Sequence, residues 1–164
     1  QHMKLIKTLL TILFISLLSS PSWSATLGDL VERDGLYYKQ FTDVPYTGEV
    51  TGRKQGSFES GKRDGAWVGY HENGQLLSKG NFKNGKRDGA WVDYGENGAL
   101  EDKGNFKNGE RVGTFVGYHK NGQLSYKANY KYKNAEVIIV SYNEDGTVNE
   151  MFTGTFKNGF KISD

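Results

Sequence analysis

The fold of this chain is decided by a stretch that the sequence repeats. Residues 80–100 read GNFKNGKRDGAWVDYGENGAL. Much of this pattern recurs 24 residues earlier and 24 residues later, so that Trp67, Trp91 and Phe115 occupy equivalent positions. Because aromatic, glycine and Asn-Gly positions keep this spacing over four units, the pattern indicates an internal repeat rather than chance similarity.

Each unit has the sequence pattern of a β-hairpin. Two strand-like runs, residues 90–94 and 100–104 in the quoted unit, are separated by turn signals of the Asn-Gly and Asp-Gly type. These dipeptides accept the positive φ of hairpin turns, and several glycines per unit would weaken a helix. We therefore predict an all-β fold, an extended antiparallel β-meander of stacked 24-residue hairpins with about nine to eleven strands.

Strand alternation assigns the side chains to two faces. One face carries Trp67 and Trp91 with Phe82, Phe106 and several glycines. A large ring on this face can lie over a glycine of a neighbouring strand and cover its bare backbone. The opposite face carries a second aromatic set among lysines, namely Tyr70, Tyr94 and Tyr118.

The repeat unit resembles a known family. The pattern Gly-x-Phe-x-Asn-Gly-Lys-x-x-Gly-x-Trp-x-x-Tyr-x-x-Asn-Gly-x-Leu of residues 80–100 is similar to the bacterial variant of the MORN repeat (membrane occupation and recognition nexus). Residues 44–49 also resemble the opening segment of bacterial YwqK-type antitoxins. The resemblance covers about residues 36–159 and implies the hairpin-repeat fold. For function it implies a lipid-associated protein, a protein scaffold or an antitoxin.

The fourth unit departs from the pattern. Residues 137–140, VIIV, replace the Gly-x-Trp core, and Phe156 lies two residues beyond the position at which the next aromatic is expected. The two inserted residues predict a bulge or an altered terminal unit. We therefore expect an atypical C-terminal capping unit.

The N-terminal residues are typical of a targeting segment. We interpret residues 1–2 as a cloning remnant and residues 3–24 as a secretory signal peptide, because two lysines precede an apolar run and a small-residue stretch. The apolar run is well short of the roughly 20 residues that span a bilayer. We expect export, to the periplasm of a Gram-negative host or as a secreted protein. Residues 25–47 would form an N-terminal cap of helix or strand, and residues 48–164 the repeat domain.

Composition excludes several functional classes. The chain has no cysteine, which excludes disulfides, thiolate metal sites and cysteine nucleophiles. Loss of Lys4 and Lys7 with the signal peptide leaves 19 basic against 19 acidic residues, so nucleic-acid binding has no electrostatic support. His71 and His119 lie in equivalent turns, and no catalytic or phosphate-binding motif accompanies them. We predict no enzyme activity, no cofactor and no metal site.

Three features of the repeat are candidates for partner binding. The aromatic sets of the two faces are the first two, and their alternative interpretation is the packing core of the sheet. The predicted partner-binding residues are Trp67, Tyr70, Trp91, Tyr94, Phe115 and Tyr118. The third feature is a basic edge for an anionic ligand, for which the alternative is a solvated edge that discourages aggregation. This predicted edge consists of Lys62, Arg63, Lys86, Arg87 and Arg111.

These features favour a binding protein over an enzyme. Our interpretation is an exported, non-catalytic scaffold that recognises a protein partner through the aromatic face of its sheet. One alternative is a module that binds an anionic lipid or a glycan of the cell envelope, and another is an antitoxin or immunity protein that neutralises a cognate toxin. The sequence also leaves open a homodimer formed through the exposed apolar face.

Overall fold

The computed structural model describes residues 24–131 and 136–164. The strands are β1 (Ala25–Thr26), β2 (Leu30–Arg33), β3 (Leu36–Lys39), β4 (Gly48–Thr51), β5 (Lys54–Glu59), β6 (Lys62–Tyr70), β7 (Leu76–Lys83), β8 (Lys86–Tyr94), β9 (Leu100–Lys107), β10 (Glu110–Tyr118), β11 (Leu124–Tyr130), β12 (Glu136–Ser141), β13 (Gly154–Lys157) and β14 (Phe160–Ser163). Short 3-10 segments cover Leu27–Asp29 and Glu150–Phe152. Among the described residues, no helix is long and apolar enough to cross a membrane. The predicted cloning remnant and signal peptide lie outside the described residues, apart from Ser24.

The main sheet is an antiparallel meander, as predicted. From β4 to β14 every strand pairs with the next one in sequence, and β1 adds to β4 in parallel. The described part of the chain places 12 strands in this sheet, more than the nine to eleven expected. The excess lies at the two ends, where β1 extends the sheet on one side and the strands after the fourth unit extend it on the other.

The hairpin turns follow the Asn-Gly signal. Asn84 and Asn108 have φ of 51°, and the glycines after them have φ of 80° and 86°. Two successive residues with positive φ are the requirement of the tight two-residue turn that matches strand twist. The Asn-Gly prediction is therefore confirmed at these two turns.

The Asp-Gly pairs have another role than the predicted turn. Gly89 lies inside β8, with φ of 80°, where the pairing with β7 shifts. Asp88 pairs with Asn81 and Val92 pairs with Lys79, so β8 uses two more residues than β7 over this distance. This bulge brings Trp91 beside the glycine of the preceding strand.

A continuous row of rings forms most of the core, and we call it the aromatic row. Neighbouring rings have centroids 4.9–6.4 Å apart and planes inclined by 51–88°, mostly in edge-to-face contacts. The row runs through Tyr37, Phe58, Trp67, Phe82, Trp91, Phe106, Phe115 and Tyr130. The face that carries it is the aromatic face.

Residues 25–47, the predicted N-terminal cap, contain the three short strands β1 to β3 and one 3-10 segment. β2 and β3 build a separate two-stranded sheet, and the backbone N–H of Tyr37 donates to the carbonyl of Gly61 at 2.8 Å. Tyr37 and Tyr46 both pack on Phe58, with ring centroids 4.9 and 5.8 Å away. This segment therefore packs against one end of the aromatic row, and the other rings of the row belong to strands of the main sheet.

Candidate functional site

The three largest predicted anchors are core residues of the sheet. Trp67, Trp91 and Phe115 have exposed fractions of 5%, 4% and 1%. Each ring lies over the glycine eleven residues before it, so closely that a Cβ on Gly80 would be 2.3 Å from the Trp91 ring. The Nε1–H of Trp91 donates to the carbonyl of Asn81 at 3.0 Å. This geometry favours the core interpretation, because a partner has almost no surface of these rings to contact.

The three tyrosines of the predicted set lie on the opposite face. Tyr70, Tyr94 and Tyr118 are half-buried and belong to β6, β8 and β10. The ammonium of Lys103 lies 5.8 Å from the centroid of the Tyr118 ring. The six predicted anchors therefore divide between the two faces, and the tyrosines are the more accessible half.

The structure separates the five predicted basic residues. Lys62 and Lys86 are exposed at the hairpin ends, but the arginines beside them point to the aromatic face. Arg63 pairs with Phe58 and Arg87 with Phe82 across the strands. The five residues do not form one basic edge, because neighbouring residues of a strand face opposite sides of the sheet.

The arginines form a regular series over the aromatic row, which we call the arginine row. Its members are Arg63, Arg87 and Arg111. Their guanidinium carbons lie 5.0, 4.1 and 4.7 Å from the ring centroids of Trp67, Trp91 and Phe115, respectively. A cation over a ring face is attracted by the ring quadrupole, so these side chains are held in place. Within the described residues, none of them makes an ion pair of 4.0 Å or less.

Two carboxylates lie on the same face near the arginine row, and neither was among the site residues predicted from the sequence. Asp93 of β8 pairs with Asp102 of β9. Burial raises the pKa of Asp93, while Arg87 acts in the opposite direction and Asp102 raises it further. The signal was available, because Asp93 stands where the neighbouring units have Gly69 and Gly117.

Tyr126 completes this polar group. Its hydroxyl donates to a carboxylate oxygen of Asp102. Burial, followed by this hydrogen bond, raises the pKa of Tyr126, so the phenol keeps its proton. The aromatic face thus presents fixed charges of both signs, which suits recognition of a polar surface.

The two predicted turn histidines serve the stacking of the repeats. Nε2 of His71 lies 2.8 Å from the carbonyl oxygen of Tyr94, and Nε2 of His119 lies 2.8 Å from that of Tyr142. A carbonyl oxygen only accepts, so Nε2 carries the proton in both rings. In the described residues, no group of three or more His, Asp or Glu side chains is placed to hold a metal ion.

These features define a β-hairpin repeat scaffold, in which each unit packs on its neighbours through rings and glycines. Residues 63–84, 87–108 and 111–132 each match the family model described as MORN repeat variant. The MORN repeat is in general a non-enzymatic repeat module. No curated protein matches the chain.

Proposed function

We propose that this protein is an exported scaffold that recognises a protein partner with an acidic surface through the aromatic face of its sheet. The observation that carries the proposal is the arginine row. Its three members lie on every second strand, so they recur about every 10 Å along the sheet, given the usual distance between strands.

The arginine row is prepared for binding. The guanidinium of Arg63 already lies over three rings, and those of Arg87 and Arg111 over two each, so little side-chain freedom remains to be lost when they meet a carboxylate. A charge-assisted hydrogen bond contributes about 1.5–3 kcal/mol. The carboxylates of Asp93 and Asp102 interrupt the positive surface and favour a partner that also offers donors at that point.

The test compares two triple variants of equal charge. The first carries Arg63→Gln, Arg87→Gln and Arg111→Gln. The second carries Lys79→Gln, Lys103→Gln and Lys127→Gln, three exposed lysines on the opposite face. The full chain and both variants serve as bait for envelope proteins, after circular dichroism shows that each variant folds.

The proposal requires that one protein is captured by the parent and the lysine variant and lost by the arginine variant, and that the purified partner behaves in the same way. Equal capture by the parent and both variants would contradict a role for the arginine row.

A second candidate function rests on the lysines of the opposite face. Lys79, Lys103 and Lys127 are exposed and pair across the strands with valines such as Val92 and Val116. This lysine row suits an anionic lipid surface or an anionic glycan. The expected result is sedimentation with vesicles containing phosphatidylglycerol that the lysine variant loses and the arginine variant retains. The antitoxin and homodimer interpretations stay predictions.

A further inference from the structure

The C-terminal unit contains a break in the aromatic row. Ile139 pairs with Ala128 and Gly154, and correspondingly Trp67 lies over Gly56 and pairs with Gly80. Phe156 pairs with Val137 as Phe82 pairs with Gly65. The row therefore lacks one ring, at the position between Tyr130 and Phe156.

The two-residue insertion of the fourth unit lies next to the position of the missing ring. The two extra residues of the fourth unit lie in the segment that contains the 3-10 turn Glu150–Phe152. Phe152 of this turn and the preceding Asn149 line a cavity of about 530 Å³, together with Ala128 and Ile139. We call it the end cavity. Its volume lies in the range of small-molecule sites.

Aromatic side chains line the end cavity. Tyr130 and Phe156 both line it. On its other side Tyr130 already contacts the ring of Phe115, with centroids 5.3 Å apart and planes at 78°. A guest ring placed between Tyr130 and Phe156 would continue the alternation of edge-to-face contacts that holds the rest of the row. An aliphatic guest gains no such contacts.

The polar groups of the end cavity favour an anion. Arg111 lines it and donates to the Tyr130 hydroxyl at 3.0 Å. Burial lowers the pKa of Arg111, but the hydrogen bond to Tyr130 and nearby charges outweigh this effect and raise it, so the group is cationic. Among the described residues that line the end cavity, none carries a carboxylate. The hydroxyl proton of Tyr126 is committed to Asp102, and Arg111 is the one arginine or lysine among the described residues that line the end cavity.

From these contacts we infer that the end cavity binds an aromatic ring that carries a carboxylate. The ring takes the position of the missing member of the aromatic row, and the carboxylate accepts from Arg111. The ligand has two conceivable sources, a free aromatic acid and an aromatic residue in an acidic segment of another protein. The inference does not rest on the proposed protein-partner function, because it needs only the geometry of the fourth unit.

The test uses two probes with the full chain in isothermal titration calorimetry. N-acetyl-L-tryptophan represents the free aromatic acid, and the blocked peptide acetyl-Asp-Trp-Asp-amide represents the protein segment. We expect saturable binding of at least one probe, with a dissociation constant on the order of 0.1 mM for a ligand of this size. N-acetyl-L-tryptophan amide, which has no charge, and N-acetyl-L-leucine, which has no ring, should each bind at least about tenfold more weakly.

Two variants locate the binding. The double variant Ile139→Trp with Ala128→Gly rebuilds the regular ring over glycine, fills the end cavity and should abolish binding of both probes. Arg111→Gln should weaken it by about tenfold or more. Arg53→Gln, which removes an exposed arginine outside both the arginine row and the end cavity, should leave it unchanged.

Tighter binding of the peptide would identify the protein source, and tighter binding of the free acid would identify the small-molecule source. The inference is overturned if neither probe shows binding to the parent when its concentration is ten times the expected dissociation constant. It is also overturned if the two arginine variants bind the probes equally well. If the double variant does not fold by circular dichroism, the comparison of Arg111→Gln with Arg53→Gln still decides.

Discussion

The second repeat unit, which contains Trp91, and the C-terminal unit differ in how they pack the residues of the aromatic face. In the second unit Trp91 lies over Gly80 and is 4% exposed, with Phe82 and Phe106 in contact on its two sides. In the last unit Ile139 is the corresponding residue, and it is only half-buried and lines the end cavity. The core of this sheet consists of rings that cover glycines. In the last unit Ile139 and Ala128 replace the ring and the glycine, and a cavity is present at that position.

The largest expected effect is the loss of a ring from the regular units. Trp91→Ala should lower the free energy of unfolding by about 4 kcal/mol, because the change leaves a cavity between two rings. Ile139→Ala should cost about 2 kcal/mol, since part of this side chain already faces open space. Urea denaturation measures both. Trp67→Ala is the control and should match Trp91→Ala, and equal losses at Trp91 and Ile139 would refute the comparison.

The next effect concerns the covered glycines. Gly80→Ala should cost about 2–3 kcal/mol, because its Cβ would be 2.3 Å from the Trp91 ring, which is buried between Phe82 and Phe106. The reverse change in the last unit, Ala128→Gly, should cost only about 0.5–1 kcal/mol through backbone entropy. In a Trp91→Ala background, Gly80→Ala should cost much less than in the parent. Additive losses in this double-mutant cycle would show that ring and glycine are independent.

A smaller effect is expected from the arginine row. Arg87→Gln should cost about 1 kcal/mol, because it removes a cation from the faces of Trp91 and Phe106. Lys79→Gln, an exposed change on the opposite face, should stay within about 0.5 kcal/mol of the parent. Thermal denaturation at matched pH compares them. If both changes have the same effect, the guanidinium contributes charge alone and the stacking is without consequence.

The smallest effect is a pH dependence at Asp93. Because its pKa is raised in the folded state, the protonated form stabilises the fold, and this contribution is lost as the pH rises from the ordinary value of 3.8 through the raised one. Asp93→Asn should therefore have little effect at pH 3 and stabilise the protein at pH 7 by a few tenths of a kcal/mol, reduced by solvent screening. Unfolding curves at both pH values test this. A gain at pH 3 that vanishes at pH 7 would reverse the assigned sign.

The regular part of the fold follows from local patterns. The 24-residue spacing, the Asn-Gly turns and alternation suffice to predict the meander and its aromatic face. The position of the arginine row was equally accessible, because Arg63 and Trp67 are four residues apart and alternation puts them on one face. The prediction placed the arginines at the sheet edge because they are close to the hairpin turns. The alternation of side chains along the strand would have placed them on the aromatic face.

The features that depend on contacts between distant residues were beyond the sequence pattern. The bulge at Gly89 depends on how the Trp91 ring settles on Gly80, and the pattern gave Asp-Gly the weight of a turn signal instead. The end cavity depends on where the extra residues of the last unit come to lie relative to the missing ring. The sequence showed both departures, but their meeting at one place is a property of the folded sheet.

The order of the strands has a consequence for how such a protein can change in length. Every strand from β4 onward pairs with its neighbours in sequence. Removal of residues 87–110, one repeat, would therefore join Lys86 to Arg111, which is equivalent to the Arg87 that follows Lys86 in the intact chain. The turns and glycines would then meet the same partners as before. Each such deletion or duplication changes the distance between the N-terminal cap and the end cavity by about 10 Å. The length of the sheet can therefore change during evolution by whole repeats, without any change in the residues at its two ends.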